Sequence, residues 1–515
     1  MQHITLTDNK ISSFSDDELH NKIHVYYDIQ SVAGKTLSEL CNENSSLLVF
    51  PHSLDEHRNG IEELSICELS GRPIYNDENQ IINVDDVKIK TGNLMGFIGF
   101  SGKQNHGTKL EIRSRFTNND KQDYFFHYML EKVFKINLFD MNYSHSKNNG
   151  FDLLYLIFPA LLKRAFRQGI FRTYRTFHKN DAAVKGVIEI SRHIKYNEPF
   201  NGKIAYRSRE YSADNDMTQL IRHTIEFIKQ KSIGKNVLNA DAATKEAVNQ
   251  IIAATDSSYC FQNRSKIIHR NIKPVIHPYF SEYKYLQKLC LLILSHQSMQ
   301  YAKSDSPVYG ILFDGAWLWE EYLNTILQDL NFEHPTNKDR KGGIRLFDNT
   351  AGSGEETFNK CYRRIYPDFY RENTKPGNDD FLKNDGVILD AKYKQLEKGL
   401  VQDDLYQIIS YMHTMKIPTG GFIYPLPFSS TVLTDRSSAT LTDRSDEDET
   451  LLPSEVKTRL LSDVEVKKYH LAGLGGTVSA IGFPILQNVE SYSDFSETMK
   501  KSESNLLEKM RQNKL

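Results

Sequence analysis

The sequence predicts an α+β protein of several domains. A β-rich N-terminal domain covers residues 1–145, a mostly helical, basic middle region covers 146–300, and a C-terminal α/β domain with a mixed sheet covers 301–515. Three observations predict this division. At 515 residues the chain exceeds what one core organises, which suggests roughly two to four domains. Hydrophobic residues make up 39% and charged residues 25%, the balance of a globular protein that folds in water. The apolar period also changes along the chain, from alternation near the start, to helical spacing in the middle, to short apolar runs bounded by turn residues near the end.

In the first region, Leu47-Leu48-Val49-Phe50 is an apolar run that stops at Pro51, as a short buried strand would. Val87–Lys90 and Leu110–Arg113 alternate as half-buried strands do, and Tyr124 to Phe134 is helix-like. No chemistry-bearing motif falls there, so the expected use of this region is contact with DNA or a partner. Arg113 and Arg115 read equally as partner contacts and as exposed strand residues.

In the middle region, twelve Lys/Arg face four acidic residues between Leu161 and Glu210, with Phe166, Phe171, Tyr174, Phe177, Tyr196 and Tyr206 interleaved. Such a stripe can neutralise phosphates without reading sequence. The bland alternatives are a solvated helix face or a surface for an acidic partner. Phe280 to Ala302 reads as a long helix with Leu286, Leu289, Leu292 and Ile293 on its core face, and Trp317, Trp319 and Tyr322 read as packing residues.

Late in the chain, Val466–Leu471 and Thr477–Ile481 read as strands, and Gly473–Gly476 between them as a turn rather than a phosphate loop. Residues 433–449 read as a polar loop, and Ser493 to Gln512 as an exposed helix.

Composition excludes several function classes. Net charge is −2, so a nucleic-acid binder must concentrate its positive charge locally. The five cysteines are scattered without a Cys-x-x-Cys pair, which argues against zinc, an iron–sulfur cluster or a disulfide framework and fits a reducing cytoplasm. The start lacks a signal-peptide pattern, and the longest apolar run, Leu153–Leu162, is too short to span a bilayer and contains Pro159, so no membrane is expected. No Gly-x-x-x-x-Gly-Lys-Ser/Thr occurs, so the chain is not expected to hydrolyse nucleotides by itself.

The chemistry concentrates between Pro367 and Tyr411. Val387-Ile388-Leu389 follows the turn signal Asp385-Gly386 and reads as a buried strand, which sets Asp390 and Lys392 on one face and Leu389 and Ala391 on the other. Asp368 follows Tyr366-Pro367, where proline suits a strand start. If the two strands are neighbours, Asp368 and Asp390 converge on one Mg²⁺, with the backbone carbonyl of Ala391 as a third oxygen. A cation there would activate water toward a phosphodiester, with Lys392 holding that water or stabilising the transition state. Glu320, in the helix-like Gly315–Leu323, would add a carboxylate or orient a ligand. Gln407 and Tyr411, four apart, share one helix face and can serve Lys392 or the DNA backbone. Each element alone has a bland reading: a polar strand edge, a turn, a solvated helix face. The polar stretch Arg371–Gly386 is long for a hairpin, so Asp379 and Asp385 stand as fallback acids should the pairing fail.

In this arrangement the sequence resembles the PD-(D/E)xK nuclease superfamily, and more narrowly the McrC family, the nuclease subunits of McrBC-type and LlaJI-type restriction systems. The matching residues are Leu318-Trp319-Glu320, Pro367-Asp368, Leu389-Asp390-Ala391-Lys392-Tyr393-Lys394 and Asp404-Leu405-Tyr406-Gln407-Ile408-Ile409-Ser410-Tyr411. Leu94–Phe100 with Leu110–Arg113 resembles the family's N-terminal glycine turn and strand pair. Leu161–Arg164, Lys185–Ile188 and Tyr211–Asn215 resemble its central segment. The resemblance implies a PD-(D/E)xK core, Mg²⁺-dependent cleavage of double-stranded DNA bearing a mark, and an AAA+ GTPase motor partner (McrB-like) that this subunit stimulates. Two alternatives stay open: an assembly or GTPase-activating subunit with a weak pocket, and a stand-alone RecB-like repair nuclease.

Overall fold

A computed structural model describes residues 2–14, 23–44, 46–51, 64–76, 81–100, 108–117, 123–135, 149–231, 233–299, 308–335, 343–346, 364–372, 385–394, 400–429, 464–473 and 475–512. They form a mixed α+β protein with two five-stranded sheets, each combining parallel and antiparallel pairs. No helix among them is long and apolar enough to cross a membrane.

The first sheet runs in the order Gln2–Thr7, Thr108–Arg113, Leu94–Phe100, Val308–Asp314, Leu47–Phe50. Leu94–Phe100 and Val308–Asp314 are buried along their whole length. One face, with Ile98 and Leu312, packs with Val25 and Ile29 of helix Ile23–Gln30 and Leu37 and Leu40 of helix Leu37–Glu43. The other, with Phe97 and Phe313, joins Phe125 and Met129 of helix Tyr124–Phe134.

Two sequence expectations change here. Val308–Asp314 falls beyond the 300/301 division, yet it pairs with Leu94–Phe100 and Leu47–Phe50 in the N-terminal sheet. Its run Val-Tyr-Gly-Ile-Leu-Phe needs cover on both faces, which an interior strand position supplies. The glycines of Leu94–Phe100, read as a turn, lie within a strand. A Cβ on Gly99 would stand 2.1 Å from the Tyr309 ring, and Gly96, at φ +131°, lies against the Ile311 carbonyl. Small residues here let two strands and a buried tyrosine approach closely.

The middle region packs helices Asn149–Phe166, Asp216–Lys229, Ala242–Thr255 and Tyr283–Met299. Asn215 starts the second with a reciprocal capping box to Thr218. The basic stretch departs from the helical expectation. Thr173–Asp181, Ile204–Ser212 and Val187–Ile188 form a three-stranded antiparallel sheet, with the short helix Ile190–Asn197 beside it. Along most of Thr173–Asp181 the exposure alternates residue by residue, the signature of a strand pattern that the charge count obscured.

The second sheet runs Phe369–Arg371, Val387–Ala391, Thr419–Ser429, Thr477–Gln487, Glu465–His470. Helix Gln402–Met415 is the crossover between the parallel strands Val387–Ala391 and Thr419–Ser429, and packs Ile408 and Met412 onto Ile388 and Phe422. The opposite face, with Leu389, Ile423 and Phe483, is covered by helices Gly315–Leu327 and Tyr492–Arg511. That last helix, expected to be exposed, buries Tyr492, Phe495, Met499, Leu506 and Met510. Their spacing of three, four and seven residues is a narrow apolar stripe in a polar background. The 433–449 loop, and Leu474 of the glycine turn, lie outside the described residues.

Gly99→Ala is expected to destabilise the chain by about 1–3 kcal/mol, because a buried ring has nowhere to move. Chemical denaturation of the two proteins tests this; equal midpoints would show that the Tyr309 contact yields freely.

Candidate active site

The register of the second sheet assembles the site. Phe369 pairs with Leu389 and Tyr370 with Ile388, so one step further Asp368 stands opposite Asp390. Both lie on the Ile388 side of the sheet, toward helix Gln402–Met415, while Phe369 and Leu389 point to the other core. Asp368 Oδ2 accepts from the Ala391 N–H at 2.8 Å. Lys392 Nζ lies 2.6 Å from Asp390 Oδ2 and 3.3 Å from Asp404 Oδ1, and donates to Gln407 Oε1 at 3.0 Å. Gln407 Nε2 donates to the Tyr411 hydroxyl at 2.7 Å, and that hydroxyl donates to the Tyr366 carbonyl at 3.3 Å, two residues before Asp368. Gln407 and Tyr411 therefore serve Lys392 and the backbone leading to Asp368.

Glu320 comes from the opposite layer. Its helix, Gly315–Leu327, is capped by Asp314, whose carboxylate accepts from the Ala316 N–H at 3.0 Å. Trp319 Nε1 donates to the Ile423 carbonyl at 3.3 Å, and the Lys392 N–H donates to the same carbonyl at 2.9 Å. One oxygen thus locates both the helix of Glu320 and the backbone of Lys392. Glu320 is half-buried, and its charge acts directly on Asp368.

Three residues that sequence reasoning gave no role also belong here. Asp404, 8% exposed, joins Lys392 to Lys394, whose Nζ donates to Asp404 Oδ2 at 2.5 Å. A signal existed, since Asp404 stands three residues before Gln407 and seven before Tyr411, on the same helix stripe. His334 donates from Nδ1 to the Asp368 carbonyl at 2.7 Å and stacks on Phe369 at 4.7 Å. Nothing in its spacing announced this. Among the fallback acids, Asp385 is exposed two residues before strand Val387–Ala391, and Asp379 lies outside the described residues. Arg113 and Arg115 are not exposed strand residues. Arg113 pairs with Glu111 at 2.8 Å; Arg115 pairs with Asp8 at 2.9 Å and covers the Tyr393 ring at 4.8 Å.

Burial pushes Asp390, 2% exposed, up to about 7, and the neighbouring Asp368 charge adds to this against the opposing Lys392. Asp368 is also pushed up to about 7, by loss of hydration on burial first and the Glu320 charge second; the Ala391 N–H, Lys392 and His334 oppose this. Asp368 keeps an exposed edge, so the pair is open to solvent on one side. Burial favours a neutral Lys392, but Asp390, Asp404 and Asp368 outweigh it and hold the ammonium.

A hard cation fits this donor set. Two crowded carboxylates repel each other, and Asp390 Oδ2 meets Lys392 as an ion pair but has no hydrogen bond of good geometry. Among the described residues no group of three or more His, Cys, Asp or Glu side chains could hold a metal ion. Two carboxylates are hard oxygen donors, of the kind that suits Mg²⁺ better than Zn²⁺.

The family described as McrBC 5-methylcytosine restriction system component matches residues 89–425, a span that contains every side chain of this site. The chain belongs to that family. It is also similar to a solved half-complex from a tetradecameric assembly of Thermococcus gammatolerans McrB AAA+ hexamers with bound McrC. Identity is 14% and the TM-score 0.42, over 98% of this chain and 99% of that one. A second similarity is to the cryo-EM structure of the Thermococcus gammatolerans McrBC complex, at 14% identity and a TM-score of 0.27, over 63% and 87% of the two chains. No curated protein matches this chain.

The raised carboxyls set a pH dependence. With folded values near 7 against an ordinary 3.8, the folded chain holds protons that the unfolded chain has released. Their contribution to stability is complete below the ordinary value and is lost as pH rises through about 7. In chelator, the chain is expected to melt at a lower temperature at about pH 8 than at about pH 6, and Asp368→Asn to shrink the difference. Thermal denaturation at both pH values tests this; a gap unchanged in the variant would count against the assignment.

Proposed function

We propose that this chain is the Mg²⁺-dependent DNA endonuclease subunit of an McrBC/LlaJI-like restriction complex, working with and stimulating an AAA+ GTPase motor. The observation that carries the reading is Asp368 facing Asp390 across one strand pair, with Lys392 Nζ 2.6 Å from Asp390 at an edge open to solvent. Mg²⁺ held by Asp368, Asp390 and the Ala391 carbonyl would supply an activated water and neutralise charge on the phosphate. The chain's own groups do the rest. Lys392 stays protonated and offers its ammonium to the attacked phosphate. Gln407 fixes the ammonium's direction and Tyr411 fixes Gln407. Glu320 adds negative charge beside Asp368, which favours a cation there.

Family membership supports double-stranded DNA carrying a modification as substrate, and a separate motor. Within these 515 residues no phosphate-binding Gly-x-x-x-x-Gly-Lys-Ser/Thr run occurs, which fits a division of labour between two chains. The exposed three-stranded arm suits either the DNA contact its charge suggests or a protein contact. Arg175 pairs with Asp214, Lys179 with Glu210 and Arg192 with Glu189, while Arg172, Lys185, Lys195, Lys203, Arg207 and Arg209 are exposed. Its outer surface also carries Val187, Ile188, Ile190 and Phe200, each about half exposed or more. The complete set at 368, 390 and 392 speaks against a degenerate pocket, and the family match against a stand-alone repair nuclease.

The test is DNA cleavage in Mg²⁺ and GTP with and without an McrB-like motor. Cleavage is expected only in the combined reaction. Asp390→Ala is expected to reduce it to background while the motor still binds and its GTP hydrolysis is still stimulated. Cleavage that survives Asp390→Ala would overturn the reading.

A further inference from the structure

Lys392 has two carboxylates to choose between. Its Nζ contacts Asp390 Oδ2 at 2.6 Å and Asp404 Oδ1 at 3.3 Å, with Gln407 Oε1 at 3.0 Å. In the proposed nuclease, on which this inference rests, the cation needs the oxygens of Asp390. Ammonium and cation then compete for one carboxylate, and a lysine left without a counter-charge in this part-buried position (17% side-chain exposure) would be costly. Asp404 answers that need. It projects from the first turn of helix Gln402–Met415, where the helix dipole favours a carboxylate, and it is buried beside Lys392. Its second oxygen accepts from Lys394 at 2.5 Å, which balances its charge and fixes its orientation.

We propose that Asp404 is a positioning residue: it holds the Lys392 ammonium when a divalent cation takes Asp390, so that the cation and the lysine occupy the site together. In this view the 2.6 Å and 3.3 Å contacts are the cation-free balance between two acceptors, and cation binding shifts the lysine toward Asp404 and Gln407.

The consequence is an energetic coupling between Asp404 and Lys392 that is read in cation binding, without cleavage. Mn²⁺ affinity of the full chain, measured calorimetrically without DNA, is compared in four proteins: the natural chain, Asp404→Asn, Lys392→Met and the double variant. Without the Asp404 charge, Lys392 is committed to Asp390 and excludes the cation, so Asp404→Asn is expected to weaken binding about 10-fold. In the Lys392→Met background the competitor is gone, and the same substitution is expected to cost only about twofold, the remaining long-range loss of one negative charge. Unchanged thermal stability of Asp404→Asn excludes a folding defect, and Asp404→Glu, which restores the charge, is expected to recover part of the affinity. Equal penalties in the two backgrounds would overturn the proposal, since Asp404 would then act on the cation directly or through the fold; no penalty at all would also overturn it. Failure of the natural chain to bind Mn²⁺ would instead remove the nuclease reading beneath it.

Discussion

The site depends on the placement of one five-residue strand. Val387–Ala391 pairs antiparallel with Phe369–Arg371 on one side and parallel with Thr419–Ser429 on the other. The first pairing brings Asp368 opposite Asp390; the second brings the Ile423 carbonyl to the Lys392 N–H. A slip of one residue in this strand would turn Asp390 into the apolar layer occupied by Leu389 and part it from Asp368. The register is enforced because the two faces of this strand are chemically different. Leu389 and Ala391 must join the core under helices Gly315–Leu327 and Tyr492–Arg511, whereas Ile388 joins the core under helix Gln402–Met415. Apolar packing, which is non-directional, thus fixes a directional polar arrangement.

The same strand is tied to the first sheet just past its end. Tyr393, next to Lys392, reaches the Ser114 hydroxyl at 2.7 Å and Met95 Sδ at 3.3 Å, and its ring packs on Phe116. Arg115 covers that ring while pairing with the fully buried Asp8, whose carboxyl is pushed up to about 7 by burial. Arg115 also bonds Asn93, and Asn93 donates to Asp314 at 3.2 Å, the residue that caps the Glu320 helix. Gly315 completes the fit, since a Cβ there would stand 2.7 Å from the Tyr393 ring. A buried polar chain therefore connects the N-terminal sheet to both the lysine strand and the Glu320 helix. Burying such ionic groups carries a large desolvation cost, which Asp8 and Arg115 offset by pairing with each other. The two halves of the molecule share one structural frame around the candidate site.

What was legible in the sequence follows what is local. Asp390 and Lys392 share a face because strands alternate, and Gln407 and Tyr411 share one because helices repeat; both patterns need a few residues only. The adjacency of Asp368 and Asp390 is only conditional in the sequence, since strand pairing across the Arg371–Gly386 stretch has no local signature. Three features were missed for three reasons. His334 meets Asp368 across 34 residues, by tertiary packing alone. The basic region's strands were hidden because a charge count carries no period. Val308–Asp314 was assigned by its position along the chain, whereas its partners Leu47–Phe50 and Leu94–Phe100 lie more than two hundred residues earlier. Asp404 stands apart: its helix stripe was visible, and what was lacking was a reason for a third acid beside the lysine.

That reason lies in the charge count of the site. Asp368, Asp390, Glu320 and Asp404 bring four carboxyls to a crowded edge, against Lys392, Lys394 and, when protonated, His334. Were the acids all there to bind a cation, Lys392 would be a liability, because it occupies an oxygen of the deepest one. Were they all there to neutralise lysines, the mutual repulsion that adds to the effect of burial on Asp368 and Asp390 would have no use. Division of the acids into two roles removes both difficulties. In the proposed nuclease, Asp368 and Asp390, opposite each other across one strand pair, form the repulsive pair that a divalent ion would relieve. Asp404, on the neighbouring helix and balanced by Lys394, gives the ammonium somewhere to remain charged. The two groups come from separate elements, strand and helix, so the packing of Ile408 and Met412 onto Ile388 and Phe422 sets the distance between them.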